Sequence, residues 1–225
     1  MRALAALALL VAGAASAKTD PQADAAFRAA FGKSGSAILK RQGQYRESVK
    51  YTPGGLVEAP FGPVLISPGE VLDASHASAG KLAAIYLKRT PRGFAVIKRF
   101  VPATETGSHG TNPDWRASSA FGPLPVVIVE GGGTFQGCTT SVATLLELAP
   151  QGPRELVTVT ISSDNSGAVA EGHRATSLTG RIARIVPNRS FEVVYFGTKR
   201  FTERYVRRGD RYVLAGGGES RVEGC

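Results

Sequence analysis

The chain has 225 residues with 27 Lys+Arg, 18 Asp+Glu, 27 Gly, 13 Pro and two Cys, and 43% of it is apolar. Those proportions exclude a low-hydrophobicity disordered chain, a coiled coil and a disulfide-dense miniature scaffold. They leave material for one sizeable core, since a domain of roughly 200 residues buries about 70% of the surface its unfolded chain exposes.

The first element is an address. Arg2 precedes an apolar stretch from Ala3 to Ala15 that closes in the small-residue site Ala15-Ser16-Ala17, the pattern of an export signal cleaved after Ala17. The expected organisation is a signal peptide over 1–17 and a single β-rich domain over 18–225. The leader's apolar run falls short of the ~20 residues that span ~30 Å of hydrocarbon, and no later stretch approaches that length, so no transmembrane segment is expected. No Cys follows the cleavage site to take a lipid. A periplasmic or secreted protein is the expectation.

Asp20-Pro21 places an N-capping carboxylate before a proline at the first helical position, and Ala23 to Phe31 continues as a short helix with Phe27 and Phe31 on one face. Gly32 to Gly35 ends it. Beyond that point the chain reads as short strands separated by turn residues, with four clear hairpins. Lys81–Arg89 and Phe94–Val101 flank Thr90-Pro91-Arg92-Gly93; Val142–Leu148 and Glu155–Ile161 flank Pro150-Gln151-Gly152-Pro153. Arg181–Val186 and Phe191–Phe196 flank Pro187-Asn188-Arg189, and Phe201–Val206 and Arg211–Leu214 flank Arg208-Gly209-Asp210. Val157, Val159 and Ile161 alternate with Thr158 and Thr160, the period of a strand with one wet face. The fold expected is mainly β: an antiparallel meander of hairpins, as a sandwich, barrel or propeller-like sheet, with one short N-terminal helix. Phe61-Gly62-Pro63 recurs as Phe121-Gly122-Pro123, with Ala83 and Ile85 echoed by Ala143 and Leu145, which suggests two related sheet units around 61–101 and 121–163.

Positive charge is concentrated in two blocks, 81–101 and 174–225, each summing to +6. Outside the cytoplasm the polyanions to hand are envelope glycolipids, phospholipid head groups, wall polymers and acidic glycans rather than nucleic acid. The candidate anion-binding residues are Lys81, Lys88, Arg89, Arg92, Lys98 and Arg99 in the first block and Arg204, Arg207, Arg208 and Arg211 in the second. An anionic envelope component of that kind, or another envelope protein, is the expected partner.

Chemical signatures are sparse. Cys138 and Cys225 are the only thiols and are expected to pair in an oxidising compartment, closing a loop of about 87 residues and contributing roughly 4 to 5 kcal/mol through lost chain entropy. His76, His109 and His173 show no metal-ligand spacing, so neither metal nor cofactor is expected. In Ser108-His109-Gly110-Thr111-Asn112-Pro113-Asp114-Trp115, Asp114 reads as a helix N-cap and Trp115 as the anchor of a loop. Gly131-Gly132-Gly133 follows a strand, but no Lys-Ser/Thr follows it, so it reads as a bulge or sheet corner rather than a phosphate loop.

Thr90-Pro91-Arg92-Gly93-Phe94-Ala95-Val96-Ile97, with Gly137-Cys138 downstream and Ser108-His109-Gly110 between, resembles pieces of the L,D-transpeptidases, which cross-link peptidoglycan through a cysteine acyl-enzyme. That family carries Ser-His-Gly-Cys in one run, whereas here Thr111 follows Gly110 and Gln136-Gly137 precedes Cys138. The resemblance implies an exported cysteine-dependent enzyme acting on wall peptides, with Cys138 as nucleophile and His109 as base. The residues themselves favour a non-catalytic, envelope-associated or secreted binding or interaction protein.

Overall fold

The structure is a computed structural model that describes residues 20–41, 46–170 and 172–222. The leader expected over 1–17 and Cys225 lie outside the described residues. Helix α1 (Pro21–Phe31) is followed by β1 (Ala37–Arg41), β2 (Glu47–Tyr51), β3 (Gly55–Ala59), β4 (Gly62–Leu72), β5 (Gly80–Thr90) and β6 (Gly93–Thr106). The chain continues through β7 (Asp114–Ser118), β8 (Val126–Phe135), β9 (Cys138–Ala149), β10 (Gly152–Asp164), β11 (Ser177–Val186), β12 (Ser190–Gly197), β13 (Phe201–Arg208) and β14 (Arg211–Leu214).

The strands form two antiparallel sheets. The first runs β1-β2-β4-β5-β6, with β3 along the remainder of the β4 edge. The second is an uninterrupted meander, β7 to β14, that curls until β14 comes back beside β10. All four expected hairpins are present as β5–β6, β9–β10, β11–β12 and β13–β14.

Side-chain alternation on β8 and β9 builds the layers. Val127, Val129, Leu146 and Leu148 face the first sheet, where they meet Val64, Ile66, Leu82, Ala84 and Tyr86. Val126, Ile128, Ala143 and Leu145 point the opposite way, into a core inside the curl shared with Phe191, Val193, Tyr195, Tyr205 and Tyr212. Helix α1 covers the outer face of the first sheet, where Ala26, Phe27 and Ala30 pack on Val49, Leu65, Ala83 and Ile85. Because β5 is covered on both faces, Leu82 to Leu87 is a continuous apolar run rather than an alternating one. Tyr86 ties the sheets together by donating to Ala149 O at 2.7 Å, and burial pushes its phenol well above the usual range.

The helix ends are satisfied as the sequence suggests. Asp20 accepts from the Gln22 amide at 2.9 Å, and Gly32, left-handed at φ 69°, donates to Arg28 O. At the other terminus, the buried Glu203 carboxylate accepts from Tyr205 Oη at 3.0 Å, Ser220 Oγ at 2.9 Å and the Arg221 amide at 2.6 Å, and Val222 enters the core of the curl.

Asp114 corrects one expectation. It begins a strand rather than capping a helix, because Asp114 to Ser118 ladder onto Val126 to Glu130 and place Trp115 against the inter-sheet core. The offset of 60 residues lays β4–β5 over β8–β9, with Ala83 and Ile85 in the helix-side core and Ala143 and Leu145 in the curl.

Phe27→Ala should destabilise the protein by about 3 to 5 kcal/mol, against about 1 kcal/mol for Asp20→Ala, which removes only the cap. Urea unfolding of both variants checks this, and equal midpoints would contradict the packing of α1 on the first sheet.

Candidate functional site

Strand pairing sorts the ten basic residues by what each already holds. Lys81 is only 3% exposed, with its ammonium 2.6 Å from Glu105 and 3.4 Å from Glu47, so it belongs to a buried ion cluster rather than to an anion-binding surface. Arg89 pairs with Glu58 and donates to Gln22 Oε1 at 3.1 Å. Arg99 donates at 2.8 Å to Ala30 O, one of the carbonyls that the end of α1 leaves without an intrahelical partner. Lys98 donates to Gln151 O at 2.7 Å and lies over the Phe100 ring. Arg207 donates to Glu147 Oε1 at 3.2 Å through both terminal nitrogens, with the Tyr212 ring centroid 5.6 Å from its guanidinium carbon.

Glu147 is the hub of the second block. It points into the curl, almost fully buried, and holds Arg154 as well as Arg207; Arg154 in turn comes within 3.9 Å of Asp210 at the β13–β14 turn. Arg154 was absent from the sequence candidates, because a single Arg after a Pro-Gln-Gly-Pro turn carries no local signal. Its position puts the two positive blocks on either side of the β9–β10 turn, Lys98 touching Gln151 and Arg154 reaching Asp210.

Lys88, Arg92, Arg204, Arg208 and Arg211 remain exposed. Three of them share the outer face of β13–β14. Glu203, Tyr205 and Arg207 point inward, so Arg204, Val206 and Arg208 point out, and the register sets Arg208 directly opposite Arg211 and Val206 opposite Val213. No acidic side chain among the described residues pairs with Arg208 or Arg211; the nearby carboxylate, Asp210, is turned to Arg154. Arg204 makes only a long contact, 3.4 Å, to Ser190 Oγ.

Two residues, His76 and Phe135, stand between His109 and Cys138 of the cysteine-enzyme alternative. Phe135 pairs across the ladder with Cys138, and its ring lies 5.9 Å from that of His76, which neighbours His109 at 6.3 Å. His109, left-handed at φ 56°, has its Nδ1 3.1 Å from Ser108 Oγ, and that hydroxyl also donates to Gly132 O. Cys138 is 6% exposed, and no described cysteine is free. Cys138, Thr140, Val142 and Phe135 line a cleft of about 490 Å³ together with Gly131 and Gly133. The cleft begins where the β8 residues facing the first sheet change from Val127 and Val129 to Gly131 and Gly133, which ends the inter-sheet core. Gly131 is required by close packing, since a Cβ there would lie 2.7 Å from Gly107 N, and one on Gly133 would crowd the Ser108 hydroxyl at 2.9 Å. The Gly131 to Gly133 run is therefore strand on which the chain after β6 rests, rather than a bulge or corner. Among the described residues no cluster of His, Cys, Asp and Glu could hold a metal ion, and no helix is long and apolar enough to cross a membrane.

Glu147→Gln should cost about 3 kcal/mol, because it leaves the partly buried Arg207 guanidinium without its counter-charge, whereas Glu58→Gln removes one exposed pair and should cost under ~1 kcal/mol. Thermal unfolding of both variants measures the difference, and similar losses would remove Glu147 from its place as hub. No known protein family, curated protein or solved structure matches the chain.

Proposed function

We propose that the chain is an exported, non-catalytic binding protein that holds an anionic envelope component through the Arg208–Arg211 end of the β13–β14 hairpin. One observation carries this reading: two arginines stand directly opposite each other in the ladder, and the one carboxylate of their turn, Asp210, is directed to Arg154. Like charges at that spacing, with Cβ atoms about 5 Å apart, repel and weaken the hairpin. A phosphate, sulfate or carboxylate placed between the two guanidinium groups removes the repulsion and accepts paired hydrogen bonds from each. Arg204 on the same face extends the positive surface, and Lys88 and Arg92 carry it to the β5–β6 hairpin as a second, separate contact.

Export and the disulfide belong to the same proposal. The leader pattern over 1–17 supports a periplasmic or secreted protein, and the absence of a free described cysteine supports pairing of Cys138 with Cys225, the one other thiol in the chain. A paired Cys138 is not a nucleophile, which disfavours the transpeptidase-like alternative. Intact-mass measurement should find a chain beginning at Lys18 and about 2 Da lighter than its reduced form, two hydrogens having been lost to the disulfide. A native product that still begins at Met1 with two alkylatable thiols would sink this part of the proposal.

The anion site has its own test. Arg211→Glu replaces repulsion with a cross-strand ion pair, so it should raise stability by up to about 1 kcal/mol while weakening retention on immobilised heparin. Wild-type retention should fall steeply with salt, since exposed charges are screened beyond about 8 Å at physiological ionic strength. Unchanged retention of the Arg211→Glu protein would overturn the assignment.

A further inference from the structure

The anion site sits beside an apolar feature that a soluble acidic polymer would leave unused. On the outer face of the curl, register places Val186 opposite Ser190, Ser190 opposite Val206 and Val206 opposite Val213. The result is one row across β11, β12, β13 and β14 that is aliphatic except for the buried Ser190. Val186 is 42% exposed and Val213 43%, two of the seven large apolar side chains left exposed among the described residues. Arginines border the row on both sides. Toward the hairpin end lie Arg208 and Arg211, with Arg189 in the adjoining turn; on the other side Arg204 stands opposite Glu192. Glu192, opposite Arg204, is already paired with Arg184 at 2.6 Å.

We propose that this face, the valine row with its flanking arginines, docks on a bilayer surface that carries anionic phosphate headgroups. The proposal rests on the anion site assigned above and names its occupant. Guanidinium groups meet the headgroup phosphates, and Val186, Val206 and Val213 settle among the first carbons of the acyl chains. An amphipathic sheet face with cations at its margins is suited to that interface, where apolar burial and attraction to anionic lipid add together. Charge complementarity alone accounts for the arginines, but it does not account for an exposed aliphatic row aligned between them.

Sedimentation of the full chain with vesicles of phosphatidylcholine, with and without phosphatidylglycerol, tests the proposal beside retention on heparin. Wild type should bind the phosphatidylglycerol vesicles and not the neutral ones. Val206→Ser/Val213→Ser withdraws two aliphatic side chains and should lower vesicle binding by at least roughly tenfold, about the effect of losing one of them, and leave heparin retention unchanged. Arg208→Ala/Arg211→Ala should lower both. Val213→Trp, a substitution at an exposed position, gives a second readout: its emission should shift to the blue when phosphatidylglycerol vesicles are added. Heparin retention without vesicle binding, full vesicle binding by the serine variant, or no emission shift overturns the membrane assignment and leaves the anion site standing. Failure to bind either heparin or vesicles overturns both.

Discussion

Two strands feeding two cores is the constraint on which this architecture depends. β8 and β9 are apolar on both faces, so they must be covered twice, once by the first sheet and once by the inside of their own sheet's curl. Covering the second face bends the meander until β14 returns beside β10, and the bend turns the outer faces of β11 to β14 away from everything else in the molecule. The surface left to meet a partner is a by-product of how the interior is filled. Aromatic rings complete that filling: Phe191 stacks on Tyr205 with centroids 5.0 Å apart, and Tyr212 meets Phe191 edge-on at 5.1 Å.

Much of this was legible in the residues, and what was legible was local. The cap at Asp20, the stop at Gly32 and the four hairpin turns are set by chemistry within a few positions of each other, and each formed where it was expected. Alternation at Val157 and Val159 likewise gave the face that enters the curl. Asp114 was misread because its capping signal is equally local, while the ladder that overrides it depends on Val126 to Glu130, beyond any window centred on the loop. The first strands, β1 to β3, gave weak signals because Thr52-Pro53-Gly54 interrupts what is in effect one line of pairing along β4.

The site was legible in type and not in membership. Composition marked two basic blocks, but whether a Lys or Arg is free depends on what lies opposite it in space. Lys81 sits in a stretch as rich in cations as any, yet two glutamates, from β2 and β6, close over it. Arg207 and Arg208 are neighbours in sequence, and a period of two sends one inward to Glu147 and leaves the other outside. Arg154 escaped notice for the converse reason, since its partners come from β9 and from the β13–β14 turn.

The bend between β6 and β7 rests on bare backbone. At Gly80 an added methyl would sit 1.7 Å from Thr111 O, at Gly110 it would sit 2.6 Å from Ala74 Cβ, and Gly131 and Gly133 receive the same segment from the other sheet. At Gly80 and Gly131 the nearest atoms are main chain, which has no rotamer to turn aside, whereas Gly110 meets the Cβ atoms of Ala74 and Val71 and Gly133 meets the Ser108 side chain. The segment works as a keyed joint between the two sheets, and the smallest possible enlargement at Gly80, Gly110 or Gly131 would force their relative placement to change.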